Sequence, residues 1–109
     1  MSRPLYQVKA EFFKTLGHPV RIRVLELLSR REHAVSELLS DVAIESANLS
    51  QQLAVLRRAG VVRSRKQGSA VYYSIASPEI ARLLAVARSI LTGMYSDQAE
   101  LLEELRTSR

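Results

Sequence analysis

The sequence has no cysteine. That excludes disulfides, thiolate metal sites and thiol-based redox sensing within the chain. No apolar run approaches the roughly 18 residues that a membrane span requires. The opening Met1-Ser2-Arg3-Pro4 lacks the apolar region of a signal peptide, so a soluble cytoplasmic protein is expected. Motifs for chemistry are missing as well: no glycine loop that cradles phosphate, no zinc-protease pattern and no nucleophile elbow. Ser36 and Ser50 have no matched base at a recognisable spacing, and neither a catalytic residue nor a cofactor is expected. Acid is absent from about a third of the chain. Between Ser46 and Pro78 stand Arg57, Arg58, Arg63, Arg65 and Lys66, and no Asp or Glu. This stretch holds five of the 16 basic residues and none of the 11 acidic ones, so the whole net charge of +5 resides there. An acid-free basic stretch suits a polyanion, because phosphate contacts supply most non-specific nucleic-acid affinity through counterion release.

What is present fits a single domain over residues 1–109, with 47% apolar residues to build a core. Leu5, Val8, Phe12, Phe13 and Leu16 follow helical spacing, and Gly17-His18-Pro19 breaks that helix. Val20, Ile22, Val24, Leu25, Leu27 and Leu28 form a second helix to about Arg31. A short third helix covers about Val35 to Val42. Ile44-Glu45-Ser46 turns the chain, with Ser46 as N-cap of a fourth helix that ends before Gly60. The period then changes. Val61 to Arg65 and Val71 to Ile75 read as strands around Lys66-Gln67-Gly68-Ser69, a two-stranded hairpin. Ser77-Pro78-Glu79 announces the last helix, whose apolar stripe includes Leu83, Ile90, Leu91, Met94, Leu101 and Leu105. Reaching about Arg106, it spans roughly 29 residues, or ~43 Å. The class is mainly α with a small β-hairpin: four helices, a hairpin and a fifth helix. Two short helices joined by a tight turn and followed by a hairpin are the order of a winged helix-turn-helix.

The fourth helix carries the most informative surface. At about 100° per residue, Leu49, Leu53 and Leu56 fall within about 60° of one another and face the core. Opposite them lie Ala47, Gln51, Ala54, Val55 and Arg58, flanked by Asn48 and Ser50. Gln or Asn can pair bidentately with adenine N6 and N7, and Ala can touch the thymine methyl. Ala47, Asn48 and Gln51, near the helix start, are therefore expected to read bases. Ser46, Ser50 and Arg58, with Arg65 and Lys66 toward the hairpin tip, are expected to hold phosphates.

The chain resembles the ArsR/SmtB family of winged-helix repressors. The likeness is carried by residues Phe13-Lys14-Thr15-Leu16-Gly17-His18-Pro19-Val20-Arg21-Ile22-Arg23-Val24-Leu25 and by Ser36-Glu37-Leu38. Its most specific part is the run from Asn48-Leu49-Ser50-Gln51-Gln52-Leu53 to Gly60-Val61-Val62, and Gly68 with Tyr73-Ser74-Ile75 closes the wing. It covers about residues 6 to 95. It implies a bacterial homodimer, built from helices at residues 1–16 and 78–106, that represses an operon by binding an imperfect promoter palindrome. Leu5, Val8, Phe12, Leu83, Ile90, Leu91, Met94 and Leu101 are the expected dimer contacts. The apolar stripe of the last helix independently wants a partner, and a two-fold axis would place two fourth helices about one turn of duplex apart.

The resemblance has departures. The family commonly has a histidine where this chain has Gln52, a position toward the core flank. The Cys-x-Cys pair of some family sensors aligns with Ala34-Val35-Ser36, and the Asp and His ligands of others find no histidine in residues 78–109; Asp97 and Glu100 remain alone. No metal site is expected, and the effector is unknown. His18 and His33 read as a turn histidine and a solvated one, Glu103-Glu104 as a solvated face, and Met94-Tyr95 as part of the dimer seam. Two other readings stand beside the repressor. One is a winged-helix module that docks on protein. The other is a metal-responsive repressor with an atypical site made from His18, His33 and carboxylates such as Asp41 or Glu45.

Overall fold

A computed structural model describes residues 3–107; the first two residues of the expected first dimerisation segment lie outside this range. Helix α1 (Leu5–Leu16) ends at Gly17, whose N–H closes on the carbonyls of Phe13 and Lys14. A Cβ at Gly17 would stand 3.2 Å from the Phe13 carbonyl oxygen, so glycine suits this close approach. Helix α2 (Pro19–Arg30) starts with proline, which needs no N–H there. His18 is its N-cap: Nδ1 accepts the Val20 N–H at 3.2 Å.

Strand β1 (His33–Ala34) is short and leads directly into α3 (Val35–Val42). Ala43 then takes a left-handed conformation with φ 57°, and α4 (Ser46–Arg58) follows. The N-cap of α4 is Glu45, not Ser46 as expected; Ser46 is the first helical residue, and no side chain caps this end. Because the αL residue is Ala43, the extended approach to the helix falls on Glu45, one residue earlier than the serine suggests. Gly60, with φ +77°, turns the chain out of α4.

Strands β2 (Val62–Gln67) and β3 (Ala70–Ile75) pair antiparallel from Val62↔Ile75 to Gln67↔Ala70. Their two-residue loop has Gly68 at its first central position with φ +62°, the placement a type II′ turn requires. The hairpin is not alone. β1 pairs with the other edge of β3, His33 opposite Tyr73 and Ala34 opposite Tyr72, giving sheet order β1-β3-β2. His33 is consequently 4% exposed rather than solvated, and its Nδ1–H donates to the Arg31 carbonyl at 2.9 Å. Two residues make too short a run for alternation to reveal a strand.

Helix α5 (Pro78–Thr107) begins as expected, with Ser77 Oγ accepting the Glu79 N–H. The core lies between α2, α3, α4 and the inner face of the sheet. Its centre is Val24, Leu25, Leu38, Leu49, Leu53 and Leu56, closed by Val61, Val62 and Tyr73. Only the start of α5 joins it, through Ile80, Leu83 and Leu84. Beyond Leu84 every described residue of the helix is exposed. The radius of gyration, 18.0 Å, exceeds the ~13 Å of a compact chain of this size. Leu83, Ile90, Met94 and Leu101 fall within about 40° on the helix, so one apolar stripe runs out of the core into solvent.

Candidate nucleic-acid interface

The core positions α4 by its leucines. Leu49, Leu53 and Leu56 are 2% exposed or less, and deleting one such side chain typically costs ~2–5 kcal/mol, so the helix cannot roll about its axis. Its opposite face is thereby held toward solvent. Ser46, Ala47, Asn48, Ser50, Gln51 and Arg58 are all exposed, while Ala54 and Val55 are half-buried. The first turn of α4 has free backbone N–H groups with no capping side chain, and helix starts of this kind favour anions.

Beside it stands the hairpin, with Lys66 exposed one residue before the last pair of the ladder. Arg63, which the expected set omitted, is exposed on the same strand. Arg57, also omitted, donates to Ser64 Oγ at 3.4 Å, so it leans from α4 onto the wing.

Arg65 is not the free cation that the charge run suggests. Its Nε and Nη2 donate to the two carboxylate oxygens of Glu32, at 2.9 and 2.5 Å, and Nη1 donates to Gln67. The guanidinium lies 4.6 Å from the centroid of Tyr72. This pairing holds the Glu32 carboxyl below its ordinary range. A similar bond supports the neighbouring turn. Glu37 accepts from Arg31 at 2.7 Å and from the Ala34 N–H at 3.0 Å, which hold its carboxyl down at about 2.

Gln52 has a role that the spacing alone did not reveal. It is 7% exposed, accepts from Arg21 Nε at 2.8 Å and donates to Asn48 Oδ1 at 3.1 Å. A glutamine on the core flank of a helix is the available signal, since a buried amide demands partners.

The expected dimer residues divide into two sets. Leu5, Val8, Ile90, Leu91, Met94 and Leu101 are exposed, whereas Phe12 and Leu83 are half-buried against the core. The atypical metal site is not assembled. His18 caps α2 and His33 is buried in the sheet. Among the described residues no three histidine, aspartate or glutamate side chains are grouped to hold an ion. No helix in this range is long and apolar enough to cross a membrane.

A helix-turn-helix domain model matches residues 16–65. The uncharacterized HTH-type transcriptional regulator Rv0081 of Mycobacterium tuberculosis is 64% identical over 106 residues, 96% of this chain and 93% of that protein. A transcriptional repressor SmtB homolog of Synechocystis is 36% identical over 76% of this chain and 63% of its own length. The chain belongs to the ArsR/SmtB family of winged helix-turn-helix transcriptional regulators. The crystal structure of Rv0081 superposes with a TM-score of 0.83 at 65% identity, covering 90% of this chain and 99% of that one. The homodimeric winged helix-turn-helix domain Mb0332 of Mycobacterium bovis, a possible ArsR-family regulator, is 28% identical with a TM-score of 0.77, covering 85% and 86%. In family terms α3 and α4 are the helix-turn-helix and β2–β3 is the wing.

Proposed function

We propose that this ArsR/SmtB-family regulator acts as a homodimeric, sequence-specific repressor at a palindromic promoter operator. The observation that carries the reading is the outer face of α4. It sets Ala47, Asn48 and Gln51 in solvent, on a helix pinned by three buried leucines, with no acid among its residues. In the major groove Gln51 and Asn48 reach base edges and Ala47 meets a thymine methyl. Ser46, Ser50, Arg58 and Lys66 lie against phosphates and set the register. Arg65 faces the same backbone while braced by Glu32. The segments 1–16 and 78–106 supply the dimer seam, with Leu5, Val8, Ile90, Leu91, Met94 and Leu101 covering one another across a two-fold axis and Phe12 and Leu83 at its base.

The test is a gel shift with the duplex upstream of the protein's own gene, against a random duplex, across salt concentrations. Arg58 and Lys66 in two copies neutralise about four phosphates, so log K should fall with log salt with a slope of about −4 or steeper. Retention of the promoter duplex above the random one supports the reading. Failure to retain either duplex at low salt would overturn it in favour of a protein-docking module.

A further inference from the structure

Asn48 is not free to present either end of its amide. The constraint begins at Arg21, whose guanidinium carries donors only. Nη1 of Arg21 donates to the Thr15 carbonyl at 3.0 Å, which fixes the group at the junction of α1 and α2. Its Nε then faces Gln52 at 2.8 Å, and only the carbonyl oxygen of that amide can accept. The Gln52 NH2 is therefore turned toward Asn48, where it meets Oδ1 at 3.1 Å. Polarity is passed along the chain without ambiguity: donor, acceptor, donor, acceptor. With Oδ1 turned toward Gln52, the end of the Asn48 amide directed away from the protein is Nδ2, with two hydrogens to give.

We propose that Gln52 and Arg21 are positioning residues that make Asn48 a hydrogen-bond donor toward DNA, so that it selects a base edge presenting acceptors: guanine through N7 and O6, or thymine through O4. The inference rests on the base-reading role of α4 proposed above. It departs from the adenine pairing that asparagine makes when both ends of its amide are available, because the oxygen is held back toward the protein. Cytosine N4 would set a donor against the Nδ2 hydrogens, and adenine offers only N7 beside its own N6 donor, one acceptor where guanine has two. Gln51 has no such bond and keeps both ends of its amide.

Selection from a randomised duplex library by the wild-type protein, Asn48→Ala, Gln52→Glu and Arg21→Met tests this. Asn48→Ala marks the base position that Asn48 reads, by flattening the preference there. The wild type should prefer one base pair at that position by about tenfold, with its guanine or thymine on the strand that Asn48 reads. Gln52→Glu is nearly isosteric and still accepts from Arg21, but it offers Asn48 an acceptor instead of a donor. Asn48 must then turn Nδ2 inward and Oδ1 outward, and the preferred base pair should change, with adenine or cytosine replacing guanine or thymine on that same strand. A purely structural role for Gln52 would weaken binding without changing the letter. Arg21→Met frees the Gln52 amide to adopt either polarity and should broaden this one position while its neighbours stay sharp. It also serves if Gln52→Glu does not fold, as judged by circular dichroism. An unchanged base pair in Gln52→Glu, an unchanged preference in Arg21→Met, or no position marked by Asn48→Ala would each overturn the inference. A wild-type protein that enriches no sequence at all removes the reading role itself, and this inference with it. That result differs from a sharp site whose letter never changes.

Discussion

Replacing Ile90 tests whether the apolar stripe of α5 is a seam between subunits. Ile90 is 57% exposed and takes no part in the core cluster. Fully burying an isoleucine contributes ~1.5–3 kcal/mol, so covering the part still in water is worth about 1 kcal/mol per copy. A two-fold axis counts the residue twice. Ile90→Ala should therefore weaken dimerisation by about 2 kcal/mol, or roughly 30-fold in Kd. Ile90→Glu goes further, since two carboxylates would enter the same seam without partners, and removing a charge from water costs several kcal/mol. Sedimentation velocity across nanomolar to micromolar protein should show the alanine variant dissociating at higher concentration than wild type. The glutamate variant should sediment as a monomer throughout. Secondary structure by circular dichroism should persist in both, because the side chain touches nothing in the monomer's core. If Ile90→Glu sediments as wild type at every concentration, the seam lies elsewhere and the stripe needs another explanation.

Three further outcomes are expected. Gln51→Ala should relax the operator at about one base position at a cost of roughly 1–3 kcal/mol, whereas Lys66→Ala should weaken all duplexes alike and flatten the salt slope by about 2 per dimer; quantitative gel shifts separate the patterns, and equal loss on specific and random duplexes in Gln51→Ala would remove its reading role. Ala43 holds a left-handed conformation that disfavours side chains by about 1 kcal/mol, so Ala43→Gly should raise the free energy of unfolding by about 0.5–1 kcal/mol in urea melts, and a lowered value would contradict the strain. Glu37, held near 2 instead of 4.5, adds stability that is fully present above pH 4.5 and is lost as the pH falls through its folded value. The stability gap between wild type and Glu37→Gln should thus close between about pH 4.5 and 2, and a gap unchanged across that window would show that the Arg31–Glu37 bond contributes nothing.

Much of this fold is legible in the sequence because its signals are local. Gly17-His18-Pro19 ends one helix and starts the next, Ser77-Pro78 caps α5, and the 3–4 spacing of leucines fixes which face of α4 is buried. The parts that escaped depend on distant partners. His33 reads as solvated until β3 arrives to pair with it, forty residues along the chain. The N-cap of α4 moves from Ser46 to Glu45 because the turn is made by a left-handed alanine, a conformation the residue type does not advertise. Gln52 looks like a spare amide in the sequence; its value lies in Arg21, which reaches it across 31 positions.

The charge pattern shows the same division with more consequence. Residues 46–78 contain no acid, yet the folded wing is not acid-free, because Glu32 stands just before β1 and reaches Arg65 on β2. Tyr72 of β3 lies between them, opposite Arg65 in the ladder and beneath its guanidinium. The arginine thus spans all three strands, and the two-residue β1 gains a side-chain tie that its few backbone bonds do not provide. One of the five cations in the stretch is neutralised by this arrangement. In the proposed complex the attraction for phosphate falls instead to Arg58, Arg63 and Lys66, while Arg57 leans on Ser64. A braced wing also loses less conformational entropy when it meets a duplex, so the ion pair exchanges long-range attraction for preorganisation. Steering should accordingly be weaker than a count of five cations implies, while the spacing between α4 and the wing is set before DNA arrives.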